Sequence, residues 1–295
     1  MGATKKKVRE KFTDEQRAQW RQAQREEAQQ KLAAAVESLQ SSDGFRAWLK
    51  ARARFHNYSY QNTLLILVQC PEATRVAAAS AWRDLGRHPV KGSKALRIFA
   101  PIEWRIPCSE SDPGAIWNSK RERWERKVRS FKLVPVFDLS QTDGEPLAPA
   151  PEVADVEGET HAHLEPKLLA LAEELGYSVR TESLGGGMGG YCDLAAKQIV
   201  LAEGHSPNAR VRVLVHELCH AQGIDYKDYS RSEAETIVEA ATFIVLAGQG
   251  LDVDASSVPY IAGWSGQDGH AKLSKFAETI DRVARRIEKV LPDAC

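Results

Sequence analysis

The sequence has no long apolar run. Its longest strongly apolar stretch, L-L-I-L-V at residues 64–68, falls far short of the roughly 20 residues that a membrane-spanning helix needs, so no membrane partner is expected. Cysteine is scarce: five in 295 residues, at 70, 108, 192, 219 and 295, with no C-x-x-C pair. An odd, scattered set argues against a disulfide framework and for a reducing cytoplasm. The opening M-G-A-T-K-K-K-V-R-E has no apolar segment of the signal-peptide type, and Lys6 stands where a myristoylation signal wants Ser or Thr. No internal repeat is visible. Net charge is absent as well, with 40 Lys and Arg against 40 Asp and Glu.

That zero conceals a division. Residues 1–132 hold 27 Lys and Arg against 14 Asp and Glu, a net of +13; residues 133–295 hold 13 against 26, a net of −13. Asymmetry of this kind points to a polyanionic partner for the basic half. Composition shifts near the same place. T-D-G-E-P-L-A-P-A-P-E-V-A-D-V-E-G-E-T is acidic, proline-rich and without a helical or strand period, and it reads as an interdomain linker over 141–160.

Upstream of it, residues 13–40 read as a long exposed helix capped at Thr13 or Asp14. Further helices are expected over about 43–55 and from Ser59 to the Cys70-Pro71 stop, strands and turns over 72–105, and a charged loop or hairpin over 115–138. Downstream, the pattern gives helices at 162–175, 207–222, 231–248 and 270–291, a strand at 177–182 and a strand pair at 190–202.

The most chemical stretch is V-L-V-H-E-L-C-H-A-Q-G at 213–223. Ser206-Pro207 is a helix start and Gly223 a helix stop. Between them, His216 and His220 lie one turn apart on one face, where both imidazoles can reach one cation, and Glu217 is placed to take a proton from water as general base. This is the H-E-x-x-H pattern of zinc metallohydrolases, and the expected cofactor is Zn2+ or another divalent metal. The next helix supplies a third donor. Glu235 and Glu239 share its face, and Glu239, 19 residues beyond His220, is assigned as ligand with Glu235 as a partner of a histidine, the reverse assignment remaining open. Nothing in the pentapeptide names a substrate, though peptide hydrolysis is the commonest use of this chemistry.

L-G-G-G-M-G-G-Y contains a literal G-x-G-x-x-G at Gly185, Gly187 and Gly190. A hairpin pattern follows it, not a phosphate-binding helix, so it is read as a flexible approach to an edge strand beside the metal. Cys192 falls on that strand. Cys219, off the ligand face, is expected to be a buried thiol, and His161 and His163 to be exposed.

In the basic half, cations alternate with aromatics. Arg52, Arg54, Tyr60, Asn62, Trp82, Arg83, Arg87, Lys91 and Lys94 are the candidate DNA-contacting residues, and W-N-S-K-R-E-R-W-E-R-K-V-R is a second basic and aromatic run. Cations follow phosphates and aromatic faces stack on unpaired bases, so a single-stranded nucleic acid is the expected partner, bound within residues 1–140. No duplex-reading motif is present.

Y-S-Y-Q-N-T-L-L-I, A-T-R-V-A-A-A-S-A-W-R-D-L-G-R, V-K-G-S-K-A and F-D-L-S-Q-T-D-G-E-P-L resemble the N-terminal single-stranded-DNA-binding domain of ArdC-type antirestriction proteins. G-G-G-M-G-G-Y, V-H-E-L-C-H, E-x-x-x-E-A-A-T-F and V-P-Y-I-A-G-W resemble the zincin-like domain that follows it, which is related to the ImmA/IrrE metallopeptidases. The resemblance covers roughly residues 30–292. It implies an α+β fold in two domains: a helical extension over 1–30, a mixed α/β DNA-binding domain over 31–140, the linker, and a zincin-like domain over 161–295. It also implies antirestriction on behalf of a mobile element and a possible protein or peptide substrate. The rival reading is a DNA-shielding protein with no enzymatic activity and a structural metal.

Overall fold

The computed structural model describes residues 13–147, 158–185, 188–253 and 269–292. The first twelve residues, the middle of the expected linker, residues 186–187 of the glycine loop, the V-P-Y-I-A-G-W segment and Cys295 lie outside it.

Helix α1 (Asp14–Ser38) begins at a capping box. Thr13 Oγ1 accepts from the Gln16 N–H, and the Gln16 side chain accepts from the Thr13 N–H. Ala28, Leu32 and Ala35, three or four residues apart, with Leu39 just past the helix end, form an inward stripe. Ser41 caps α2 (Ser42–Arg54) and Ser59 caps α3 (Tyr60–Gln69), which ends at Cys70 as the following proline requires. The span read as strands and turns holds β1 (Val76–Ala77), α4 (Ala79–Asp84) and β2 (Arg87–Pro89). The helix α4 is a departure from expectation: A-S-A-W-R-D is too short to show a helical period, and it forms because Trp82 buries its ring and donates to the Phe137 carbonyl at 2.9 Å.

Strands β3 (Leu96–Pro107) and β5 (Arg123–Asp138) make an antiparallel hairpin arm in unbroken register, from Leu96↔Val136 to Pro107↔Glu125. Its twelve pairs span on the order of 40 Å. On the other edge of β5, β1 pairs at the base and β4 (Ala115–Asn118) at the tip. The outer edge of β3 is closed by side-chain amides of α3. Asn62 both donates to the Phe99 carbonyl and accepts from its N–H, each at 2.8 Å; Gln69 does the same for Arg97 at 3.0 Å. Residues 97 and 99 therefore point their backbone groups away from β5. Pro101 and Pro107 share that parity and Pro135 lies opposite Arg97, so none of the three prolines removes a bond between the strands.

After a 3-10 turn, β6 (Thr142–Gly144) pairs with β2. The expected linker therefore starts later than residue 141, because Arg87 binds the carbonyls of Thr142, Gly144 and Glu145 and holds this segment to the sheet. Beyond it come α5 (Glu165–Glu174), β7 (Ser178–Glu182), β8 (Gly190–Asp193), β9 (Gln198–Ala202), α6 (Pro207–Ala221), α7 (Arg231–Gly248) and α8 (Gly269–Glu288). Strand order is β7-β9-β8, with β7 parallel and β8 antiparallel to β9, which leaves β8 at an edge.

The cores do not divide where the composition does. Phe45, Trp48, Leu49, Tyr60 and Leu64 of α2 and α3 lie in one continuous apolar cluster with Leu214 and Leu218 of α6, Ile237 and Ile244 of α7, and Ile280 and Val283 of α8. The other sides of α2 and α3, through Ala51, Phe55 and Ile66, pack on Leu96, Ile98 and Val136 at the base of the arm. Helices α2 and α3 are thus the shared wall between the arm and the H-E-x-x-H unit. Charge alone could not show this, because Arg52 counts as basic surface in a sequence and as core in the fold.

Candidate functional site

Helix α6 is set as its sequence implies. Ser206 accepts from the Ala209 N–H, Pro207 occupies the first turn, and Gly223 follows the helix with a φ of +86°. Val211, Leu214, Val215 and Leu218 bury one side, which leaves His216 and His220 side by side, ring centroids 5.2 Å apart. On α7, Ser230 and Glu233 form a capping box, and Glu233 also pairs with Lys272 at 2.9 Å. That accounts for one carboxylate of the R-S-E-A-E-T-I-V-E helix and leaves Glu235 and Glu239 facing the histidines.

The geometry separates their roles. His216 Nδ1 meets Glu239 Oε1 at 3.2 Å, and His220 Nδ1 meets the Ile224 carbonyl at 3.1 Å. With each Nδ1 engaged by an acceptor, each Nε2 is free to ligate. Both Nε2 atoms lie 3.8 Å from a Glu235 oxygen, and His216, His220 and Glu235 offer donor atoms all within 4.8 Å of one another. The assignment of Glu239 as third ligand is therefore reversed: Glu235 is in the donor cluster, and Glu239 orients His216. Two imidazoles and a carboxylate, with their second nitrogens held, fit a zinc-type divalent metal.

Electrostatics follow from burial. Glu217 is buried beside the cluster, and burial, reinforced by the charges of Glu235 and Glu239, pushes its carboxyl up to about 7 against the opposing effect of His216. Burial would lower the His216 imidazole, but its hydrogen bond to Glu239 and the charge of Glu217 outweigh that and raise it; His220 is lowered, chiefly by burial. Burial would raise Glu239, and the His216 hydrogen bond instead holds it low. Cys192 on β8 is pushed up to about 12 by burial and then by the charge of Glu217, which places this strand beside the site. The approach is close: a Cβ on Gly190 would meet Val200 O and Val213 Cγ1, both at 2.7 Å. Cys219 is a buried thiol 3.9 Å from Thr242 Oγ1. His163 is exposed, whereas His161 is half-buried, its Nε2 2.8 Å from the Gln249 carbonyl.

One site residue escaped the sequence reading. Tyr226, in the loop from α6 to α7, donates its hydroxyl to Glu235 Oε1 at 2.8 Å. G-I-D-Y-K-D-Y carries no motif; the usable signal is that a chain turning back from α6 to α7 passes the ligands.

The proposed DNA-contacting residues fare differently. Arg52 is fully buried against Asp281 and Glu288. Tyr60 and Trp82 are core, and Asn62 is committed to Phe99. These four are corrected from contact residues to structural ones, because a side chain sealed in the core meets no phosphate or base. Arg87 holds β6. Arg54, Arg83, Lys91 and Lys94 are exposed, so the basic surface persists there and along the arm, where Arg105, Arg126, Lys127, Arg129 and Lys132 are exposed.

Fold and site together define a class: an α+β chain in which an H-E-x-x-H helix and a carboxylate from the next helix bring together donor atoms that could hold a metal ion. Residues 6–137, just under half of the chain, match the family described as the N-terminal domain of anti-restriction factor ArdC. An uncharacterized Bacillus anthracis protein is 28% identical over 281 residues, covering 80% of this chain and 48% of that one, so the chain spans about half the length of the curated relative it matches. The metal-free crystal structure of antirestriction protein ArdC from plasmid R388 is similar in fold, with a TM-score of 0.50 at 19% identity over 88% of this chain and 94% of that one. The Mn(II)-bound structure of the same protein gives 0.47 at 18% identity over the same shares. Among the described residues no helix is long and apolar enough to cross a membrane.

Proposed function

We propose that this chain is an antirestriction protein of a mobile element that binds single-stranded DNA through its basic half and hydrolyses a peptide bond at a divalent-metal centre held by His216, His220 and Glu235. The observation that carries the catalytic part is geometric: the three-donor cluster of His216, His220 and Glu235, with the buried Glu217 carboxyl next in sequence to His216, where a general base would stand. Zinc or a similar ion would supply Lewis acidity at this position. Glu217 takes the proton from the attacking water and passes it to the leaving amine. Edge strand β8, packed against α6, offers backbone groups to an extended chain by strand addition.

The test pairs wild type with Glu217→Gln, both zinc-loaded, on labelled casein. Cleavage by wild type and none by Glu217→Gln, at equal metal content, supports the reading; equal cleavage by both sinks the general-base role. The second reading, a DNA-shielding protein with a structural metal, draws on the apolar cluster that α6 and α7 share with α2 and α3. Loss of folding on chelation, with no cleavage by the loaded protein, favours it.

A further inference from the structure

The arm has two unlike faces. Residues directly opposite in an antiparallel pair point to the same side, as do residues two apart along a strand. On this rule Leu96, Ile98, Ala100, Ile102, Trp104 and Ile106 of β3 share a face with Trp124, Arg126, Val128, Ser130, Lys132, Val134 and Val136 of β5 and with Trp117 of β4. At the base this face is buried against α2 and α3. Farther out the apolar pattern continues while the cover ends: Trp104 is 43% exposed and Trp117 49%. The opposite face carries Glu103, Arg105, Lys127 and Arg129 together with two isolated exposed apolar residues, Phe131 and Ile116, and no tryptophan. A hairpin with one charged face needs no apolar residues on the other unless something packs there.

Charge indicates what packs there. On the charged face, Glu103 pairs with Lys127 at 2.9 Å and approaches Arg129 at 3.8 Å, while Arg105 has no carboxylate partner among the described residues; that face lacks indoles of the arm beside these cations. On the apolar face, Arg126 sits in the row between Ile106 and Ala115, with Lys132 farther down the strand. Both are exposed, and neither has a carboxylate partner among the described residues. Trp117 and Trp124 stand edge to face, centroids 5.5 Å apart. Uncompensated cations among exposed indoles suit a polyanion that also presents aromatic faces. A second copy of the chain would bring the same cations against themselves.

We infer that the Trp104, Trp117 and Trp124 face of the β3–β5 arm is a base-stacking platform for single-stranded DNA, with Arg126 and Lys132 on its phosphates. This rests on the single-strand reading above and places the contact away from the helices α2 and α3, on two exposed tryptophans and the half-buried Trp124 rather than on core residues.

The test is binding of full-length protein to a fluorescein-labelled oligothymidylate, read by anisotropy. Trp104→Ala/Trp117→Ala should weaken it about tenfold or more, since two base stacks are lost. Trp104→Phe/Trp117→Phe should recover most of the affinity, and Trp20→Ala, on α1, should change it little. Binding by the double alanine variant as tight as wild type overturns the platform and leaves single-strand binding standing. No binding by wild type overturns both. A double alanine variant that turns from dimer to monomer with its DNA affinity intact makes the face an interface between copies and overturns the platform.

Discussion

Arg52 of α2 clasps Glu288 of α8 with both terminal guanidinium nitrogens, at 3.0 and 2.7 Å, while its Nε donates to Asp281. The guanidinium is fully buried. This ion cluster joins a helix from the basic half to one from the acidic half, at the seam where their apolar faces meet. Removing the arginine leaves the Glu288 carboxylate without its partner in a poorly hydrated place, while Asp281 keeps Arg285 and the Tyr60 N–H. Arg52→Ala should therefore cost about 3–5 kcal/mol, read as a lower urea midpoint at unchanged slope. A loss under 1 kcal/mol would show the cluster to be hydrated.

The same seam bears on fragments. Residues 1–147 alone would uncover Trp48, Leu49 and Leu64, which pack on α6, α7 and α8 in the whole chain. The fragment should bind a hydrophobic dye and melt without a sharp transition, in contrast to the full chain. A cooperative melt comparable to that of the full chain would contradict the shared core.

Asn62 closes the edge of β3 through its two bonds to Phe99. Asn62→Leu keeps the volume and leaves one N–H and one carbonyl unpaired, which should cost about 1–3 kcal/mol. Faster hydrogen exchange at the Phe99 amide would locate the damage, and unchanged exchange there would refute the account.

At the metal centre, Glu235 and Glu239 should behave unequally. Glu235→Ala removes a donor and should leave little metal bound after dialysis. Glu239→Ala releases His216 Nδ1 and should weaken binding by about 10–100-fold while still allowing full loading at saturation. Metal content by mass spectrometry and a chelator competition read the two effects, and the reverse order would restore Glu239 as the ligand.

Asp138 provides a pH signature. Burial alone would raise its carboxyl, but bonds from the Ser140 hydroxyl and N–H and from the Thr74 and Arg75 N–H groups outweigh burial and hold it below its ordinary value. A depressed carboxyl stabilises the fold above the unfolded pKa of about 3.9, and that contribution is lost as pH falls through the lower folded value. Stability of wild type should drop more steeply below about pH 4 than that of Asp138→Asn; parallel profiles in urea would deny Asp138 this part.

Local chemistry made much of this protein legible. Thr13, Ser41, Ser59, Ser206 and Ser230 cap the helices they precede, because a cap depends on groups within three residues. The i,i+4 histidines could be placed on one face for the same reason. What the sequence could not decide depends on distance through space. Glu235 and Glu239 are equivalent by helical spacing, and only the angle between α6 and α7 brings one to the Nε2 atoms and the other to Nδ1. Arg52 and Arg126 are both arginines in a basic half; one is sealed against α8 and the other stands on an open sheet face. The +13 and −13 halves differ sharply in charge, yet the apolar stripes of α2 and α3 lie in one cluster with those of α6, α7 and α8. Burial energy scales with the area that tertiary packing removes from water, so the fold joined what charge alone would have divided.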